Sequence, residues 1–367
     1  MNILLITNDW LPKKGGISTY LTKLSENLNS NLIIYAPNWA DGENVIKSKD
    51  KFIFNPNKVF QEVQEIVFTR EVDLIIHGSS NPNFLFVNKL TNLELPNRPR
   101  HIKIPQYMIC HGAEFNILNY IPVVRTILKR NLNNLNSVFT VSEFSRKKLI
   151  DITSTEVINI GAGADVQDFK RDYKVEGGFT VGVVSRFVSR KKINWLIDAV
   201  HEINEEGHEI KLNILGFGKQ ENYLKKLAGI SSAEVTFFDD LKEDENSDFY
   251  KSIDIFAMPS TSKYFGIEYE GLGLVYLEAG IHGLPVIVGA SGGSIETILP
   301  GRSGFVVSSP KLLKEAILYF IIIPKKLKSL VLQVKSLWKK ITIGKTQLIS
   351  SNQTFFKYLT FFFDISK

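Results

Sequence analysis

Three things are scarce in these 367 residues: cysteine, long apolar runs, and acidic residues near the end. A single cysteine, Cys110, rules out an internal disulfide and fits a reducing, cytoplasmic compartment. No stretch approaches the roughly 18 apolar residues of a membrane span, the longest apolar run being Ala316 to Ile323. The opening Met1-Asn2-Ile3-Leu4-Leu5-Ile6-Thr7 has no basic region, and its apolar run is too short for a secretory signal, so it reads as a first buried strand. A complete G-x-G-x-x-G fingerprint is missing, which argues against a dinucleotide oxidoreductase. The histidines are scattered, and no Asp-x-Asp pair follows a strand, so no metal site is expected; Asp239-Asp240 reads as a loop. Residues 310–367 carry eleven lysines against Glu315 and Asp364, a net +9, which leaves −3 on the rest given +6 overall. A basic, aromatic segment on a near-neutral body points to peripheral contact with an anionic membrane surface, at the inner face of the plasma membrane. A solvated lysine-rich helix is the plainer reading. Nothing points to nucleic acid.

What is present is ordinary for a globular protein: 44% hydrophobic and 22% charged residues. The length favours two domains. Ile3–Ile6, Leu32–Tyr35, Leu74–His77, Met108–His111 and Val138–Val141 read as strands, with helical patterns such as Ser18–Leu28 and Ile121–Asn133 between several of them. A second series starts near Gly178. Its strands are Phe179–Val184, Lys211–Leu215, Val235–Phe237, Ile255–Met258 and Val286–Val288. Its helices are Ile193–Asn204, Asn222–Leu227, Asp248–Lys251 and Val275–His282. Two βαβ series predict two doubly wound, parallel α/β domains. We place them at 1–168 and 169–309, followed by an atypical basic tail, 310–367, that would cross back to the first domain.

The most informative stretch is Glu270-Gly271-Leu272-Gly273-Leu274-Val275-Tyr276-Leu277-Glu278. A glycine-rich turn feeds a helix whose N-terminus suits a phosphate. The glutamates on either side suit sugar hydroxyls, because carboxylates accept hydrogen bonds and repel phosphate. The element therefore suggests a nucleotide-sugar site.

Other segments are weaker alone. Gly15-Gly16 follows the first strand, where a glycine pair lets the backbone approach a ligand and Ser18 or Thr19 would cap the next helix; an ordinary turn explains it as well. Cys110-His111 is no nucleophile–base pair, because strand neighbours point to opposite faces. His111 sits where open α/β sheets bind ligands, although a lone histidine is more often structural. Arg186 and Lys191, five apart in a loop before a helix, could clamp a diphosphate or could simply be solvated. Gly216-Phe217-Gly218 reads as a turn. Gly292-Gly293-Ser294-Ile295-Glu296 and Gly301-Arg302-Ser303-Gly304 either cover a ligand or connect elements.

In order and spacing these pieces resemble the retaining glycosyltransferases of family 4, which have the GT-B fold of two facing Rossmann-like domains with a cleft between them. The resemblance runs from Met1 to about Pro310. It rests on Gly15-Gly16, His111-Gly112-Ala113-Glu114, Val141-Ser142-Glu143-Phe144-Ser145, Gly163-Ala164-Asp165, Ser185-Arg186 through Lys191, Glu270 through Glu278, and Gly292-Gly293 with Glu296. The form Glu268-Tyr269-Glu270-Gly271-Leu272-Gly273 is similar to the phosphatidylinositol mannosyltransferase-like subgroup.

The resemblance implies a retaining, metal-independent hexosyltransferase. It would use a nucleotide-diphosphate sugar as co-substrate, with no cofactor, and act on a glycan or lipid-linked acceptor in cell-surface polysaccharide synthesis. Gly16 would approach the donor and His111 would contact the transferred sugar. Arg186 and Lys191 would neutralise the leaving diphosphate. Glu270 would hold sugar hydroxyls beside the backbone of Gly271, Leu272 and Gly273, and Glu278 would accept from the ribose. Retention would follow from same-face attack, with the leaving phosphate taking the acceptor's proton. Ser185 and Asp239 stand where the family usually has glycine. The tail has no convincing match, although Trp338-Lys339-Lys340-Ile341 is faintly similar to the family's late tryptophan. Two alternatives stay open: a degraded, non-catalytic nucleotide-sugar binder, and a GT-B-fold sugar epimerase.

Overall fold

The computed structural model describes residues 1–28, 30–52, 55–94, 103–163, 178–238 and 243–322. Expectations for Asp165, Asp239-Asp240, the tail beyond Ile322 and Trp338 lie outside these residues. The chain divides between Ala162 and Gly163 into two compact units, a few residues before the boundary read from the sequence.

In the first unit the strands are β1 (Asn2–Ile6), β2 (Asn31–Ala36), β3 (Val45–Lys47), β4 (Leu74–His77), β5 (Gln106–Cys110), β6 (Ser137–Thr140) and β7 (Val157–Asn159). They form one sheet in the order β3-β2-β1-β4-β5-β6-β7, every neighbouring pair parallel. The central strands are continuous apolar runs because helices cover both faces; Ile3, Leu4, Leu5, Ile6, Ile75 and Ile76 are essentially inaccessible. The second unit repeats the plan with β8 (Phe179–Val184), β9 (Ile210–Leu215), β10 (Glu234–Phe238), β11 (Ile255–Met258), β12 (Val286–Gly289) and β13 (Gly304–Val307). Their order is β10-β9-β8-β11-β12-β13, again with parallel neighbours. The helix Pro310–Ile322 packs through Leu313, Ile317 and Phe320 into this unit's core. That part of the 310–367 segment therefore belongs with the second unit.

Two local expectations are corrected. The strand ends at Cys110, leaving His111 just beyond it. The first helix, Gly16–Glu26, is capped by Gly15 in extended conformation and not by Ser18 or Thr19. Ser18 lies one turn inside, where its hydroxyl donates to the carbonyls of Lys13 (2.9 Å) and Gly15 (3.0 Å) and ties the loop to the helix.

In each sheet the order reverses once, between β1 and β4 and between β8 and β11. Such switch points open a crevice at the strands' C-terminal ends. The Gly15-Gly16 loop follows β1 and Gly78 follows β4; the Arg186–Lys191 segment follows β8 and Ser260 follows β11. Among the described residues no helix is long and apolar enough to cross a membrane.

Candidate functional site

The second unit gathers four charges at its switch point. Lys191 Nζ and Arg190 Nη1 each lie 2.6 Å from Glu270 Oε2, and Arg190 Nε lies 3.3 Å from Glu268 Oε1. Ser260 Oγ is 3.4 Å from the same Glu270 oxygen. Glu270 and Lys191 are both 7% exposed, so the pair is shielded from solvent. Burial alone would raise the Glu270 carboxyl, but Lys191 and Arg190 outweigh it and hold the group at about 2. Burial, reinforced by Arg190 and Arg186, pulls the Lys191 ammonium down to about 8 against the attraction of Glu270. Both groups are charged at neutral pH.

The local fold makes this cluster. Ser189–Lys191 is a single 3₁₀ turn, which swings Arg190 and Lys191 back over the end of β8. The Glu270 backbone is gripped from the other side. Its N–H donates to Ser291 Oγ (3.1 Å), and its carbonyl accepts from the Gly293 N–H (2.9 Å). Gly292 sits at φ +59, where an added Cβ would fall 2.3 Å from that carbonyl and 2.5 Å from the Tyr269 ring. The Gly292–Thr297 turn, left above as either cover or connector, therefore positions Glu270. Oε2 is saturated by cations, and Oε1 has no partner among the described residues, which leaves it to accept from a ligand hydroxyl.

Beyond Glu270, Gly271 is half-buried and the Leu272 side chain is 4% exposed, so Leu272 offers a ligand only its backbone. Gly273 caps the helix Leu274–Ile281 at φ +87, and a Cβ there would meet the Tyr276 ring at 2.6 Å. Tyr276 is fully buried and donates to the Met258 carbonyl at 2.7 Å, which anchors the helix start to β11. One turn on, Glu278 accepts from Tyr250 Oη at 2.7 Å. Tyr250 stacks on His282, ring centroids 4.9 Å apart, and His282 Nδ1 lies 2.8 Å from the Glu278 carbonyl. The second carboxylate is thus aimed by an aromatic brace.

The first unit's switch point is chemically different. His111 Nε2 is 2.9 Å from the Gly78 carbonyl. Burial lowers this imidazole to about 4, against that hydrogen bond, so it is neutral near pH 7. A carbonyl only accepts, so Nε2 carries the proton and Nδ1 is left as an acceptor. The Tyr20 ring meets His111 edge-on at 5.2 Å. Glu114 Oε1 accepts from the His111 N–H, and burial raises this carboxyl to about 7. Cys110 is fully buried and its thiol is pushed well up by that burial, so it is a core side chain. At Gly16 an added Cβ would meet nothing within 4 Å, so no intramolecular packing demands glycine there.

The structure therefore brings Lys191 together with Glu270, and seats Gly271, Leu272, Gly273 and Glu278 on one turn and helix. Gly16 and His111 lie in the other unit. Arg186 is exposed and makes no ion pair among the described residues; Arg190, not singled out from the sequence, pairs with Glu270. The adjacency Arg190-Lys191 was the available signal. Glu268 was visible only as part of the Glu268–Gly273 form, without a role; Ser260 and Tyr250 gave no signal, because only the fold brings them to Glu270 and Glu278. Among the described residues, no three His, Cys, Asp or Glu side chains come together.

Comparison with known proteins bears on the fold and on the kind of enzyme. Residues 165–335 match the family model "Glycosyl transferases group 1". A GDP-mannose-dependent alpha-(1-6)-phosphatidylinositol monomannoside mannosyltransferase of Mycolicibacterium smegmatis is 29% identical over 332 residues, 83% of this chain and 85% of that one. The monoacylated-substrate counterpart of Corynebacterium glutamicum is 26% identical over 329 residues, 83% and 84% of the two chains. Among solved structures, Anabaena HepE in complex with UDP and glucose superposes with TM-score 0.76 at 18% identity, over 98% and 99% of the two chains. A sucrose-phosphate synthase from Thermosynechococcus elongatus gives 0.77 at 17%, over the same shares. These last two speak to the fold alone. With a family model matching residues 165–335, relatives that span most of its length, and an E-x7-E element built around a buried Lys191–Glu270 pair, the chain is a glycosyltransferase of GT-B fold, similar to the group 1 (family 4) glycosyltransferases and to their phosphatidylinositol mannosyltransferase-like members.

Proposed function

We propose that this enzyme transfers a mannosyl group from GDP-mannose to a hydroxyl of a lipid-linked acceptor, with retention at the anomeric carbon. The observation that carries this reading is the Lys191–Glu270–Arg190 cluster, which leaves Glu270 Oε1 without a partner among the described residues, beside a glycine-capped helix start. Relatives named for GDP-mannose and for phosphatidylinositol mannosides supply the donor and acceptor class.

The diphosphate lies against the first turn of Leu274–Ile281, where backbone N–H groups and the positive end of the helix dipole face it. Arg186, exposed at the end of β8, adds a mobile bidentate cation, and Lys191 adds a fixed one. Glu270 Oε1 accepts from the sugar hydroxyls and Glu278 from the ribose; within the first unit, His111 Nδ1 is an acceptor for a substrate hydroxyl. The acceptor oxygen attacks the anomeric carbon on the face the diphosphate is leaving. As the C–O bond to phosphate breaks, its electron pair stays on the phosphate oxygen, which takes the acceptor's proton. Arg186 and Lys191 stabilise the charge that develops there, so transfer is expected to persist in EDTA.

The test is thermal stabilisation of the full chain by a panel of nucleotide-sugars, followed by transfer of labelled sugar to a bacterial lipid extract. GDP-mannose is expected to stabilise most, by on the order of 5 °C at saturation, and to label a glycolipid. Stabilisation by a UDP-sugar instead would overturn the donor; labelled free sugar without glycolipid would overturn the acceptor.

A further inference from the structure

Between β11 and Glu270 the chain makes a short hairpin whose tip the core does not use. Lys263 and Glu268 pair in antiparallel fashion, with N–H to carbonyl distances of 2.8 and 3.3 Å, and residues 264–267 form the tip. The tip is a left-handed turn through Tyr264 (φ +50), Phe265 (φ +54) and Gly266 (φ +86). The Gly266 N–H closes it on the Lys263 carbonyl at 3.0 Å. Residues with a Cβ avoid this backbone region, and Asn-Gly is a usual pair where two neighbours must adopt it. Here it holds two aromatic residues. Tyr264 is 67% exposed and the Phe265 ring is fully exposed, so packing accounts for neither.

The base of the hairpin holds the strained tip in place. Lys263 Nζ donates to Ser189 Oγ, the Thr261 N–H donates to the Arg190 carbonyl at 2.8 Å, and Ser262 Oγ lies 3.1 Å from Ser291 Oγ. Ser189 and Arg190 belong to the turn that carries Lys191, and Ser291 Oγ accepts from the Glu270 N–H. The tip is thus tied to both halves of the Lys191–Glu270 cluster. At its foot, Glu268 gives Oε1 to Arg190. The Glu268 side chain stays 33% exposed, and its Oε2 has no partner among the described residues.

We infer that this hairpin is a subsite for a sugar ring of the acceptor. A sugar ring has a hydroxyl edge and an apolar C–H face. The edge suits the open oxygen of Glu268, and the polarised C–H face suits the electron-rich face of Tyr264 or Phe265. An anchored turn presents these rings without ordering them on binding, which saves the entropy of fixing a loose loop. The donor's own sugar is left to Glu270 beyond the foot. The inference rests on the transferase reading and adds a carbohydrate-recognising element that lies wholly within the second unit.

The experiment measures acceptor KM for the full chain with GDP-mannose as donor and methyl or octyl α-mannoside as acceptor. Tyr264→Asn/Phe265→Gly installs the pair that the turn prefers, so the thermal midpoint is expected to hold or to rise by about 2 °C. The KM for both glycosides is expected to rise about ten-fold in this variant. Phe265→Tyr keeps a ring and should keep KM within about two-fold of the parent. Calorimetric GDP-mannose binding should stay at the parental level in both. Parental KM in the double variant overturns the subsite. A rise confined to octyl mannoside overturns it in favour of an alkyl chain, and a matching loss of GDP-mannose affinity overturns it in favour of the donor's sugar. If another nucleotide-sugar proves to be the donor and the KM rise remains, the subsite stands and the donor assignment alone falls.

Discussion

The two units share a plan and differ in chemistry. In both, a parallel sheet reverses its strand order beside its first strand, and each puts loops at the crevice of its own switch point. In the second, that crevice holds Lys191 and Arg190 paired with Glu270, and Glu268 against Arg190. In the first it holds mostly uncharged hydrogen-bonding groups, His111 on Gly78, Ser79 on Asn8 and Asn83 on Ile6, with Glu114, its carboxyl raised to about 7, beside them. The shared scaffold puts a crevice at each switch point, and the loop residues set its chemistry. A charged crevice suits a diphosphate, and a neutral one suits hydroxyls.

The sharpest way to break this contrast is to remove its central charge. Glu270→Gln leaves Lys191 and Arg190 buried without their carboxylate, and breaking such a pair costs about 3–5 kcal/mol. Denaturant unfolding should show that loss in the second unit's transition, and transfer should fall more than 100-fold. A variant with parental stability would mean the cluster is solvated and not a buried ion pair.

A pH titration probes the neutral unit. His77 is fully buried, with Nε2 3.0 Å from Gln106 Oε1 and no partner for Nδ1 among the described residues. Burial lowers it to about 4 against that hydrogen bond. The unfolded chain binds this proton near pH 6.5 and the folded one only near 4. The His77 contribution is therefore complete above about 6.5 and lost as pH falls to 4, amounting to about 3 kcal/mol. His111 acts in the same direction. Glu114, raised from 4.5 to about 7, acts oppositely: its contribution is present below 4.5 and lost as pH rises through 7. Thermal midpoints between pH 4 and 7 should fall on acidification, less steeply in His77→Gln and more steeply in Glu114→Gln. A flat parental profile would contradict the neutral imidazoles.

Smaller effects separate positioning from structure. Tyr250→Phe removes one hydrogen bond to the Glu278 carboxylate, worth about 1.5–3 kcal/mol for a charged acceptor. The donor KM should rise about ten-fold while kcat stays within two-fold. A fall in kcat with KM unchanged would detach Glu278 from donor binding. Gly16→Ala adds a methyl that meets nothing in the fold, so the thermal midpoint should hold within about 1 °C. Transfer should nevertheless drop, since the methyl enters space kept open for ligand; unchanged transfer would remove Gly16 from the site.

The sequence was most legible where burial is two-sided. Leu74–His77, Phe179–Val184 and Ile255–Met258 match their strands residue for residue, because central parallel strands are dominated by apolar and β-branched residues. The edge strands Val45–Lys47 and Val157–Asn159 were not singled out; they are three residues long and half-buried, with too little pattern to detect. Glu270 and Lys191 were visible as chemistry, through the E-x7-E spacing and a basic loop after a strand.

The amino-acid order alone determined the two βαβ series, the glycine-fed helix start and the carboxylates either side of it, because these follow from local periodicity and backbone freedom. Only the tertiary structure decided that Arg190 and not Arg186 binds Glu270, that Glu268 and Ser260 join them, and that Tyr250 aims Glu278. Those contacts join residues up to 80 positions apart. A charge's partner inside a protein is chosen by which loops the sheet brings to one end and by the exclusion of water there, and neither is written in any local stretch of sequence.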